Sequence, residues 1–295
     1  MNKEIERIKQ FSVTDGVVED VQWVDGVKLP QTSLLKLDIE NPGGYYKVAI
    51  RLHPMPQSDI YVVVCLPEPS IWNGNFLGTG NGGAAGAIAD GALLGGVSRR
   101  FAVANTNLGT SVEPYDCIGN REILEDYGYR ATHLMTVVGK QLIEWFYGKA
   151  PAYSYFMGGS TGGQQALSEA QRYPEDYDGI VCMSPAYNRV RLHAWFVWNW
   201  QQIHKEKDAT FDRRQALAWR KRIEKVYKTQ CGSNPKDGFL TYPSRIRENP
   251  MDHPALQKDI QKMLTPGQTN ALRRLYQGPD EGFFPTSCQV QKQKC

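Results

Sequence analysis

Between residues 99 and 186 the chain alternates two kinds of hydrophobic pattern, and this alternation constrains its fold more than any other feature. "RRFAVANTN" (99–107) is a short apolar run ended by polar residues, as a buried strand would be. Residues 120–147 then repeat Tyr127, Ala131, Leu134, Val138, Leu142 and Trp145 at steps of three and four, placing them on one face of a helix that Gly148 stops. "YSYFMGG" (153–159) reads as a strand, "GQQALSEAQRY" (163–173) as a helix ended by Pro174, and "DGIVCMSPA" (178–186) as a further strand. Strand, helix, strand, helix, strand predicts an α/β architecture, a mostly parallel sheet with helices packed on it. Upstream, "YYKVAIRLH" (45–53), "IYVVVCLP" (60–67) and the start of "NFLGTGNGGAAG" (75–86) add β-branched and aromatic runs bounded by turn residues.

After residue 190 the character changes. "HAWFVWNWQQIH", "RRQALAWRKRIEKVYK" and a stretch near 266–277 read as helices, separated by Pro- and Gly-rich loops without a strong strand signal. The expected division is therefore a core over 1–190 and a mainly helical lid or cap over 191–295. A net charge of +3 gives no reason to expect nucleic acid or an anionic membrane as partner. No apolar run approaches bilayer length, and "MNKEIERIKQ" lacks the apolar stretch of a secretory signal, so a cytoplasmic chain is expected. The six cysteines (65, 117, 182, 231, 288 and 295) show no C-x-x-C or Cys/His spacing for zinc; reduced thiols and no bound metal are expected.

Gly158-Gly159-Ser160-Thr161-Gly162 fits G-x-S-x-G between a strand and a helix, the context in which that pattern carries chemistry. A serine on such a turn projects its oxygen clear of the sheet, and the following helix aims its first N–H groups at the same spot. Ser160 is the candidate nucleophile and the Thr161 amide an oxyanion donor; the plain alternative is a tight Gly-rich turn. A second donor belongs on the loop after an earlier strand, where Gly82 or Gly83 of "GTGNGG" (78–83) is the candidate, against a flexible turn. Gly78, Gly80 and Gly83 also spell G-x-G-x-x-G, a weak phosphate-loop signal that would make the chain a nucleotide-binding enzyme; no acidic residue closes a βαβ unit at the expected distance.

"YFMGGSTGGQQALSEAQRYPEDYDGIVCMSPA" resembles the nucleophile region of the tannase/feruloyl esterase family of α/β-hydrolases. "WNGNFLGTGNGG", "YRATHLMTVVGKQLIEWFYGKAPAYSYF" and "LTPGQTNALRRLYQGP" resemble its oxyanion segment, its helix and strand before the serine, and part of its lid, in the family's order. The resemblance implies a serine esterase acting on small-molecule carboxylic esters, often of phenolic acids. It also implies a cysteine before the nucleophile, disulfide-bonded beside the catalytic histidine, but Gly159 stands there. A calcium loop in the lid is implied too; "CGSNPKDGFLTYP" (231–243) offers Asp237 as its one clear carboxylate, so calcium is disfavoured. The family places its triad acid and histidine after the lid, so both, with the final strands of the sheet, are expected beyond residue 295.

The chain's own histidines do not fill that gap readily. His193 and His204 flank the aromatic helix, His253 lies in "MDHPAL", His133 reads as a structural histidine of the long helix, and His53 follows an early strand. Trp195, Trp198 and Trp200 either pack the lid helix or line an aromatic acyl pocket. Arg189 and Arg191 either meet a substrate carboxylate or stay solvated. The expectation is a serine carboxylic ester hydrolase that works through an acyl-enzyme, with an incomplete triad in these residues. The alternative is a catalytically inactive hydrolase-fold binding protein.

Overall fold

In the computed structural model the described residues are 2–26, 43–111 and 117–279. The first compact unit ends at Tyr187 and the second begins at Asn188. In chain order the first unit contains α1 (Asn2–Lys9), β1 (Gly16–Val24), β2 (Tyr45–Leu52), β3 (Ile60–Pro67), β4 (Phe76–Thr79), α2 (Asp90–Val97) and β5 (Ala102–Thr106). It continues with α3 (Arg121–Glu125), a π turn (Asp126–Arg130), α4 (Ala131–Tyr147), β6 (Ser154–Gly159), α5 (Thr161–Arg172) and β7 (Gly179–Met183). The strand readings at 45–53, 60–67, 99–107, 153–159 and 178–186 therefore all fall on strands.

The sheet order is β1-β2-β3-β5-β4-β6-β7. The expectation of a mostly parallel sheet is corrected: the pairs β1/β2, β2/β3 and β3/β5 are antiparallel, and β5/β4, β4/β6 and β6/β7 are parallel, so the sheet is mixed. The apolar runs misled because a strand buried on both faces reads alike in either direction. Along β3, Val62 and Val64 enter the core beneath α4 and α5, while Val63 and Cys65 enter a second cluster with Leu93 and Val97 of α2.

The helix read over 120–147 is α3, the π turn and α4 in succession. Ala131, Val138 and Leu142 are buried, and Leu134, Tyr127 and Trp145 pack at the margin of the same core. Gly148 ends α4 in the left-handed region at φ 72°, its amide donating to the Glu144 carbonyl. The order in which strands are added to the sheet reverses around β4: β5 lies on one side of it and β6, the next strand in sequence, on the other, all three running parallel. The ends of β4 and β6 thus form a topological switch point, where open α/β sheets place their ligands.

The second unit holds α6 (Arg189–His204), α7 (Arg213–Tyr227), α8 (Gln257–Met263) and α9 (Pro266–Gln277), with no strand among its described residues. Asp212 and Gln215 close a capping box on α7, and Thr265 and Gln268 another on α9 behind Pro266. Trp219, Tyr227, Cys231, Met251, Leu256 and Ile260 form its core. No helix of the described residues is long and apolar enough to cross a membrane.

Candidate active site

Ser160 is the single residue between the end of β6 and the start of α5. Its backbone sits at φ 58°, ψ −114°, a conformation an L-residue holds only where its surroundings enforce it. Three hydrogen bonds do so: Ser160 N–H donates to the Met183 carbonyl at 3.0 Å, and its own carbonyl accepts from Gln164 N–H (3.1 Å) and Ala186 N–H (3.0 Å). The side chain is exposed, and the hydroxyl has no hydrogen-bond partner among the described residues of its unit.

The glycines around it are required by close packing of backbone on backbone. A Cβ on Gly158 would lie 2.2 Å from the Gly162 carbonyl oxygen, one on Gly80 2.4 Å from Gly162 Cα, and one on Gly163 2.7 Å from the Met183 carbonyl oxygen. The loop after β4 is thereby pressed onto the first turn of α5. Gly162 N–H donates to the Asn81 carbonyl at 2.8 Å, and the Thr161 hydroxyl to the Gly83 carbonyl at 2.5 Å. Gly82 and Gly83 are exposed, nothing occupies the space a Cβ would take, and neither amide has a described acceptor. The structure therefore brings Ser160, Thr161 and the Gly82–Gly83 loop together at the switch point. Gly162, whose amide is engaged, is not a free donor there.

The model of the family described as tannase and feruloyl esterase matches residues 47–287. The chain belongs to this family. It is 32% identical over 236 residues to a probable feruloyl esterase B-2 of Aspergillus flavus, covering 78% of this chain and 44% of that protein. It is 34% identical over 180 residues to feruloyl esterase B of Aspergillus niger, covering 61% and 34%. The crystal structure of feruloyl esterase B from Aspergillus oryzae superimposes with a TM-score of 0.75 at 27% identity, covering 92% of this chain and 55% of that one. The fold is thus that of an α/β-hydrolase, and the chain spans about half the length, or less, of these relatives.

Within this family member the loop is fixed by polar side chains that the sequence reading missed. Gln165 of α5 accepts from Asn81 N–H at 2.8 Å through Oε1 and donates through Nε2 to the Thr132 hydroxyl at 3.0 Å. Asn81 Nδ2 donates to the carbonyls of Ala87 (3.0 Å) and Thr106 (2.8 Å), and Asn105 Nδ2 to the Thr79 carbonyl (2.7 Å). A buried amide side chain must find such partners, so the asparagine inside "GTGNGG" and the glutamines after the serine were the available signal. The G-x-G-x-x-G reading finds no support. A Cβ on Gly78 would strike the Tyr177 hydroxyl at 2.2 Å, Gly80 packs on the serine turn, and no helix opens until Asp90.

The histidines are engaged elsewhere. His53 Nδ1 lies 2.9 Å from the Ser58 carbonyl, and His133 Nδ1 lies 2.7 Å from Asp176 Oδ2 with its ring stacked on Tyr173. In the second unit His193 faces Arg189 at 3.3 Å, His204 Nδ1 is 2.8 Å from the Trp200 carbonyl, and His253 accepts from Ala255 N–H at 3.2 Å. Trp195 and Trp198 stack on each other at 5.4 Å, with Trp198 buried and Trp195 at 36% exposure. Arg191 N–H is capped by the Asn188 side chain. Cys65, Cys117, Cys182 and Cys231 are free thiols, burial pushing that of Cys65 up to about 12; Cys288 and Cys295 lie outside the described residues.

Proposed function

We propose that this chain carries the nucleophile and oxyanion half of a serine carboxylic ester hydrolase. The observation that carries the reading is Ser160 itself: an exposed hydroxyl on an enforced left-handed turn, beside the Thr161–Gly83 contact. Ser160 Oγ attacks the ester carbonyl, and the oxyanion accepts N–H bonds from Thr161 and from Gly82 or Gly83. Collapse expels the alcohol and leaves an acyl-serine, which water then hydrolyses. The histidine that takes the serine proton, and its orienting acid, are placed outside residues 1–295. In support, His53 and His133 of this unit are engaged elsewhere, and the chain spans 44% of the first relative.

The relatives' names point to esters of ferulic-type phenolic acids, a small-molecule substrate. We read the helical second unit as the lid insertion. Its 231–243 loop is read as calcium-free: the Lys228 ammonium donates to the carbonyls of Pro235 (2.8 Å) and Asp237 (2.5 Å), and Asp237 is the one clear carboxylate in the loop. A hard dication needs several oxygens and no ammonium among them.

Prolonged treatment with excess fluorophosphonate, followed by peptide mass spectrometry, tests the nucleophile. One adduct on Ser160, absent in Ser160→Ala, is expected; adducts elsewhere with none on Ser160 remove the proposal. The unpartnered hydroxyl also favours a second reading, a binding protein that retains the pocket without the chemistry. Ester affinity without any acylation of Ser160 would select that reading.

A further inference from the structure

We propose that His133, Glu169 and Asp176 bind one divalent transition-metal ion, at a site separate from the serine turn. One ligand atom from each lies within 4.8 Å of the others, although the residues come from α4, α5 and the 3-10 turn Pro174–Asp176. The second observation is Glu169. It is fully buried, and among the described residues no donor reaches either of its carboxylate oxygens. A buried carboxylate without a donor is costly, and it is relieved either by a bound cation or by a proton shared with the neighbouring Asp176 carboxyl, the two occupants the test below separates.

The geometry narrows the ion. His133 Nδ1 and Asp176 Oδ2, 2.7 Å apart, subtend about 80° at an ion bound at ~2.1 Å, nearer an octahedral than a tetrahedral angle. One imidazole and two carboxylates suit manganese, cobalt, nickel or zinc rather than a soft ion. His133 and Asp176 keep 28% and 14% of their side-chain surface exposed, so water can complete the shell from that side. The supporting contacts are present: the His133 ring stacks on Tyr173 at 3.8 Å, and Lys140 donates to the Asp176 backbone carbonyl, leaving the carboxylate itself to the ion. Two carboxylates against that single ammonium leave room for a dication.

The ion takes no part in ester chemistry. Glu169 lies eight residues along α5 from Thr161, about 12 Å of helix. Its effect is to tie α4, α5 and the 174–176 turn together behind the helix that opens at the serine.

The test uses the chelator-treated 295-residue chain, titrated separately with MnCl2, CoCl2 and ZnCl2 by calorimetry and thermal unfolding. One ion per chain and a rise of several degrees in Tm are expected for at least one metal, with cobalt giving the weak visible absorption of a six-coordinate site. Glu169→Gln preserves the shape and is expected to lose the shift; should it fail to fold, His133→Gln, at a partly exposed position, decides instead. Absence of stoichiometric binding, or an equal shift in the variant, overturns the proposal and leaves a proton between Glu169 and Asp176 as the occupant.

Discussion

Ser160 holds a backbone conformation suited to glycine because Met183, Gln164 and Ala186 bond its peptide groups in place. The strain is on the order of 1–3 kcal/mol. Ser160→Gly is expected to relieve it and raise stability by ~1 kcal/mol in denaturant unfolding, while abolishing acylation. Ser160→Ala shares the φ restriction and is expected to leave stability unchanged, so equal stability of the two variants would show that the turn stores no strain. Glu169 is the other residue under tension. Burial, and then Asp176, push its carboxyl up to about 9, whereas in the unfolded chain it titrates near about 4.3. Between these values the folded state binds the extra proton, so this group's contribution is full below about pH 4 and lost as pH rises toward 9. In metal-free protein, Glu169→Gln should therefore gain Tm relative to the parent on going from about pH 5 to about pH 8. A difference that does not change over that range would contradict the assignment.

At the scale of elements, the loop after β4 and the first turn of α5 behave as one interlocked piece. Gly80→Ala would drive a methyl into the Gly162 backbone and is expected to cost at least the ~1–3 kcal/mol of overpacking, whereas Gly82→Ala, with open space at its Cβ, should change stability by less than ~0.5 kcal/mol. Equal costs at the two positions in urea unfolding would break this account. Thr161→Val removes the bond to the Gly83 carbonyl and should slow acylation at Ser160 while leaving Tm within a few degrees; an unchanged rate would deny the hydroxyl a positioning role. The strands and the serine turn were legible in sequence because each depends on local pattern: β3 is buried on both faces, and glycines flank the serine two residues away on either side. What was not legible depends on distant partners. β1 carries charges at a sheet margin, so "GVVEDVQWV" lacks a continuous apolar run. α2, with glycines at 91, 95 and 96, carries no helical signal assigned from sequence, yet Gly96 is required there by Val103, which a Cβ would approach to 2.4 Å. Asn81 and Gln165 are 84 residues apart, and no spacing rule joins them.

For the whole molecule the consequential feature is the asymmetry of the two sheet margins. At one margin β1 pairs antiparallel with β2 and presents Glu19 and Asp20, with Glu19 bridging to Arg51 at 2.6 Å. Charge of this kind blunts an edge. At the other margin lies β7, a parallel strand of the sort normally covered on both faces. Val181 and Met183 are 52% and 47% exposed on one side of it, and Met157, the register partner of Val181, is 42% exposed. These side chains make an apolar strip beside a row of backbone groups without a strand partner among the described residues. Such an edge is a template for pairing, so the 295-residue chain is expected to self-associate as its concentration rises into the micromolar range. The double variant Val181→Lys, Met183→Lys should shift it toward monomer in light scattering while leaving Tm nearly unchanged, since neither side chain is in the core. Monomeric parent protein across that range would mean that the exposed strip is tolerated as it stands.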